Sequence, residues 1–117
     1  MANEITVSAS LSFDKTITDS FSCQGLTFTM TGTEYMKNVQ SIGTSEEALL
    51  VGDCTPGFIL MKNLDATNFV SFRSATGATN TVKLKAGEIA LFRSSGAAPY
   101  MIADTAAVRV QYLLIED

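Results

Sequence analysis

The chain has no histidine and no tryptophan, and only two prolines and two cysteines, in 117 residues. Without histidine there is no Ser-His-Asp triad, no Cys-His pair and almost no route to a zinc enzyme, because imidazole is the usual base and ligand near neutral pH. A histidine-ligated cupin is excluded for the same reason. Neither GxGxxG nor GxxxxGK[ST] occurs, so there is no recognisable phosphate loop. CxxC and EF-hand spacings are missing too. The longest aliphatic runs, FILM (58–61) and YLLI (112–115), are far too short to cross a bilayer. No membrane partner is expected.

Basic charge is also scarce. Lys15, Lys37, Lys62, Arg73, Lys83, Lys85, Arg93 and Arg109 are scattered along a chain whose formal net charge is −4. No basic block exists to neutralise a row of phosphates, so a nucleic-acid partner is not expected. The start MANEIT has no basic segment followed by an apolar one, as a signal peptide would. Synthesis in a reducing cytoplasm is therefore expected, with Cys23 and Cys54 as free thiols that act as small buried hydrophobes.

What remains is a moderately apolar chain patterned for strands. Hydrophobic residues make up 46% and charged ones 17%, a globular balance whose low charge leaves room for surface buried against partners. EITVSASLSF (4–13) alternates Ile5, Val7, Ala9, Leu11 and Phe13 against Thr6 and serines. That period of two predicts a half-buried strand. LTFTMT (26–31) sets Leu26, Phe28 and Met30 opposite threonines. TEYMKNVQSI (33–42) is a weaker strand. GTSEEALLVGD (43–53) fits a strand through Ala48–Val51, or one helical turn leading into it. GFILMKNL (57–64) is apolar on both faces, as in a central strand.

NFVSFR (68–73), two short segments flanking Lys85–Glu88, and AAVRVQYLLIED (106–117) complete about eight or nine strands separated by Gly, Asp, Asn, Pro and Ser clusters. No long amphipathic helix intervenes, which excludes a parallel α/β sheet. The prediction is one all-β domain over 1–117, an antiparallel jelly-roll-like sandwich, with residues 1–4 as an arm. NFVSFRS (68–74) and EIALFRS (88–94) share an ending and read as two similar hairpins.

Candidate sites are few. Asp65-Ala66-Thr67-Asn68 reads as a turn, since Asp and Asn bond nearby backbone N–H groups. Asp53, Asp65 and Asp104 fall in loops, where turn chemistry competes with a calcium role. Glu46-Glu47 and Glu116-Asp117 are adjacent pairs, which in a strand diverge to opposite faces and read as solvated surface rather than a glycosidase pair. Tyr112 lies on a core-patterned face. Tyr100, after Pro99, is the one tyrosine suited to an exposed sugar platform. No catalytic, cofactor-binding or metal-binding residues are assigned, and no cofactor is expected.

Taken together, ANEITVSASLSF, GTSEEALLVGD, GFILMKNLDATNFVSFR, LKAGEIALFR and the terminal VRVQYLLIED resemble a group of small tailed-bacteriophage structural proteins, of the capsid decoration or cement type. The resemblance spans nearly the whole chain and carries no catalytic motif. It implies a non-enzymatic virion protein assembled in the bacterial host cytoplasm. The implied partners are the major capsid protein or other virion proteins, and copies of itself as a homo-oligomer. The alternative is a neck, tail or fibre component, including a carbohydrate-binding sandwich module. The excess apolar positions in 57–61 and 112–115 are the expected contact surface.

Overall fold

The computed structural model describes residues 2–95 and 98–116. It is all-β: 57% of it is strand, and no helix occurs among the described residues. The chain divides into two compact units, Met1–Thr31 and Gly32–Asp117.

The first unit is a single antiparallel hairpin, β1 (Ile5–Asp14) and β2 (Thr18–Phe28). Its turn is closed by the Thr18 hydroxyl donating to Asp14 Oδ1 at 2.7 Å. A bulge interrupts the ladder. Val7 faces Leu26 and Ala9 faces Cys23, so Ser8 alone opposes both Gln24 and Gly25. Gly25 takes φ +64°, a left-handed conformation open to glycine at little cost, and its N–H donates to Ser8 Oγ at 3.0 Å. The extra residue has a larger consequence. Phe21 and Leu26 are an odd number of residues apart and would point to opposite faces of a regular strand. The bulge restores them to one face.

The second unit holds eight strands: β3 (Tyr35–Ile42), β4 (Glu47–Ala48), β5 (Pro56–Asn63), β6 (Val70–Arg73), β7 (Val82–Leu84), β8 (Ile89–Arg93), β9 (Tyr100–Ala103) and β10 (Val108–Glu116). They form two four-stranded sheets, ordered β3-β10-β5-β8 and β4-β9-β6-β7, with every pairing antiparallel. This interleaved order is that of a jelly roll, as the strand pattern predicts. The inward faces supply the core: Ile42, Ile59, Met61, Val108, Val110, Tyr112 and Leu114 from one sheet, and Val70, Phe72, Leu84, Met101 and Ala103 from strands of the other. Phe72 and Phe92 meet edge to face between the sheets, with ring centroids 4.9 Å apart. Each fully buried large aliphatic side chain contributes about 1.5–3 kcal/mol.

Several details differ from the sequence reading. The sandwich occupies Gly32–Asp117 rather than 1–117, because β1 pairs with β2 alone and joins neither sheet. Among the described residues there are ten strands, eight of them in the jelly roll. Strand β2 begins at Thr18, well before Leu26, and Met30 lies beyond its end. Over 43–51 the strand is only Glu47–Ala48, one residue earlier than expected at its start and far shorter. The two similar segments are not hairpins. Strand β5 precedes β6 but lies in the other sheet, and β7 likewise precedes β8 across the sandwich, so both connections are arches.

Of the expected arm 1–4, Met1 is outside the described residues. Glu4 is tied down, its Oε1 accepting the Met30 N–H at 2.9 Å.

Candidate docking surfaces

The hairpin is strongly two-faced. Directly opposed residues in an antiparallel pair share a face. The register Ile5–Phe28, Val7–Leu26, Ala9–Cys23, Leu11–Phe21 and Phe13–Asp19 therefore makes one face an apolar ladder with a single charge at its end. The opposite face pairs Thr6 with Thr27, Ser10 with Ser22, and Ser12 with Ser20. Ile5 is buried, but the apolar ladder is otherwise largely open to solvent. Leu11 is 76% exposed and Phe21 73%, with Phe13, Leu26 and Phe28 also exposed. An isolated two-stranded hairpin is marginal in water, so a face of this composition has a large amount to gain from being covered.

The jelly roll carries a second such surface on the outward side of β3-β10-β5-β8. The register aligns Lys37, Leu113, Leu60 and Leu91 in one row across the sheet, and Val39, Gln111, Lys62 and Ile89 in the next. Tyr35 (67% exposed) stands beside Ile115 at one end, and Arg109 opposes Ser41 at the other. Ile89 is 63% exposed. A shallow depression of about 330 Å³ lies among Lys37, Leu60, Lys62, Ile89, Gln111 and Leu113. Four cations, Lys37, Lys62, Arg93 and Arg109, occupy outward positions of these strands, and no acid does. Glu116, at the end of β10, turns its Oε1 to the Thr33 N–H at 2.9 Å. Arg93 also sits over the Phe58 ring, with Cζ 4.5 Å from the centroid. A chain of net negative charge thus presents one cationic, apolar sheet face.

The residues singled out in the sequence fall elsewhere. Asp65 is a turn former. Its Oδ2 accepts the N–H groups of Thr67 and Asn68 at 3.0 and 2.7 Å. Those backbone donors, Asn68 first, hold its carboxyl below the usual range. The fully buried Asn63 completes the turn. Its Nδ2 donates to the carbonyls of Asn68 (2.9 Å) and Leu84 (3.0 Å), and its Oδ1 accepts from Asp65 N–H at 2.7 Å.

Glu46 and Glu47 are not free surface carboxylates, as the sequence reading had them. Glu46 accepts the Gly77 N–H at 2.7 Å and lies 3.5 Å from Arg73, while Glu47 accepts from Gln40 and from Gly43 N–H. Asp53 and Asp104 are loop residues, and no cluster of three or more His, Cys, Asp or Glu suited to a metal occurs among the described residues. Asp117 lies outside the described residues.

Tyr112 is in the core as its pattern predicts, its hydroxyl donating to Leu50 O at 2.8 Å. Burial pushes its pKa up. Tyr100 is half-buried in β9 rather than an exposed platform; the well-exposed tyrosine is Tyr35. Cys54 is buried, and desolvation, followed by Glu116 and Glu34, raises its pKa. Cys23 is only half-buried, on the apolar face of the hairpin. Both thiols are free.

The expected contact segments contribute as their alternation dictates: Leu60, Leu113 and Ile115 face out, while Ile59, Met61, Tyr112 and Leu114 face in. The hairpin ladder was the surface that sequence reasoning missed. Alternation in Ile5–Phe13 predicts a half-buried strand, whereas Leu11 and Phe13 are exposed, and the Gly25 bulge that completes the ladder has no alternation signal.

Fold and surfaces together define a jelly-roll domain preceded by an amphipathic hairpin, with apolar faces on both. No family model, no curated protein and no solved structure matches this chain.

Proposed function

We propose that this chain is a non-enzymatic structural protein that works by docking onto other proteins. We place it in the virion of a tailed bacteriophage as a capsid decoration or cement protein, assembled in the host cytoplasm. The observation that carries the reading is the pair of uncovered apolar faces, the hairpin ladder around Leu11 and Phe21 and the sheet face around Leu60 and Ile89. Exposed apolar area of this extent marks interaction surface in a soluble protein. Two lesser supports join it: jelly rolls recur in viral capsid domains, which is an argument from fold analogy, and the sequence resembles small phage structural proteins.

The test is direct. Purified protein is mixed with phage heads that lack it, and separately applied to a glycan array. Saturable binding to heads with a fixed stoichiometry is the expected result. Indifference to heads, with retention of a defined glycan, would replace this reading with that of a carbohydrate-binding fibre or tail module.

A further inference from the structure

We infer that the hairpin ladder of one copy docks on the cationic, apolar sheet face of a second copy, so that the protein self-assembles by exchanging hairpins. The inference rests on the docking role proposed above and names its surfaces. Area is the first argument. The exposed parts of Leu11, Phe13, Phe21, Leu26 and Phe28 amount to roughly 600 Å², and those of Tyr35, Val39, Leu60, Ile89 and Leu91 to roughly 500 Å², using typical side-chain areas. One hairpin-on-sheet contact can then remove at most roughly 1,100 Å² of apolar surface, close to the ~1,200 Å² at which specific interfaces begin. A reciprocal pair of contacts doubles it, into the range of obligate homodimers.

Charge is the second argument. The register puts one charge on the hairpin ladder, Asp19 beside Phe13, and the cations Lys37, Lys62 and Arg109 on outward positions of the sheet strands, where no acid occurs among the described residues. The whole hairpin unit carries Glu4, Asp14 and Asp19 against Lys15, three acids to one base. Hairpin against sheet therefore gives Asp19 a cationic partner. Hairpin against hairpin would offer Asp19 only Lys15, the one base of the hairpin, and would leave the sheet face bare. The rows of the sheet, each setting one lysine among mainly apolar residues, also favour a protein surface over a nucleic acid, whose phosphates need closely spaced cations.

Two full-length variants test this: Leu11→Asp spoils the hairpin ladder, and Ile89→Asp spoils the sheet face. Both positions are exposed, and circular dichroism checks that each variant keeps the wild-type spectrum. In sedimentation velocity the wild type is expected to be oligomeric, and each variant to dissociate with at least about a hundredfold weaker self-affinity. Mixing the two variants is the decisive arm. The intact hairpin of Ile89→Asp can still dock on the intact sheet of Leu11→Asp, so hetero-oligomers should form where neither variant associates alone. A wild type that stays monomeric overturns the inference. So does an oligomer that Leu11→Asp breaks and Ile89→Asp does not, which would be hairpin-on-hairpin packing. Tight, salt-sensitive binding of a single-stranded oligonucleotide that Lys62→Glu abolishes would assign the sheet face to nucleic acid instead. Binding to phage heads is read separately, so failure of self-assembly and failure of the virion role give different results.

Discussion

Replacing Asn63 with leucine should destabilise the jelly roll severely, although the two side chains have the same number and branching of heavy atoms. Asn63 is fully buried at the end of β5, and its amide joins the Asp65–Asn68 turn to the end of β7. Its Nδ2 donates to Asn68 O and Leu84 O, and its Oδ1 accepts from Asp65 N–H. Leucine would strand all three backbone groups. Leaving a buried polar group unpaired costs about 1–3 kcal/mol. The Leu84 carbonyl is in the buried contact and bears the full penalty, whereas the groups of Asn68 and Asp65 lie nearer solvent. The gross loss is about 4–6 kcal/mol, and burying leucine carbons offsets about 2 kcal/mol of it. A net loss of about 3 kcal/mol corresponds to a fall of roughly 1.5–2 M in the urea midpoint for a domain of this size. Tyrosine fluorescence is a suitable signal, since Tyr35, Tyr100 and Tyr112 all belong to the jelly roll and there is no tryptophan. A midpoint shift below about 0.5 M would show that the amide network contributes little and refute the reasoning.

Three further outcomes are expected. The native carboxyl of Asp65 titrates below its unfolded value, so its stabilising effect is complete above about pH 4 and fades as pH falls through the native pKa. Asp65→Asn should remove that part of the acid limb in pH-dependent melting, and an unchanged limb would contradict it. Gly25→Ala forces a side chain into the left-handed region and should cost the hairpin about 1 kcal/mol; faster hydrogen exchange confined to residues 5–28 is the readout. With a thiol reagent near pH 8, Cys23 should be labelled well before Cys54, because Cys54 is buried and its pKa is raised. Equal rates in peptide mass spectrometry would count against the burial of Cys54.

The class of fold is legible in the chain, because strand alternation is a local property. Ile5–Phe13 and Val108–Glu116 are recognisable from side-chain period and β-branched content, and 57–64 from a short continuous apolar run. The Asp65–Asn68 turn is legible for the same reason, since an aspartate bonds the backbone two and three residues on. Which strands become neighbours is not local. Lys37, Lys62, Arg93 and Arg109 look dispersed in the chain, and only the order β3-β10-β5-β8 gathers them on one face. The same limit hid the arches at β5–β6 and β7–β8, because a short turn between apolar strands reads alike whether the chain stays in its sheet or crosses to the other. The hairpin shows a further one. Alternation in Ile5–Phe13 announces an apolar face but is silent on whether anything covers it, and one extra residue at Gly25 reverses the parity of everything after it. Periodicity fixes which side chains share a side of a strand. What that side meets is decided by pairing between residues far apart in the chain, and only the tertiary structure contains it.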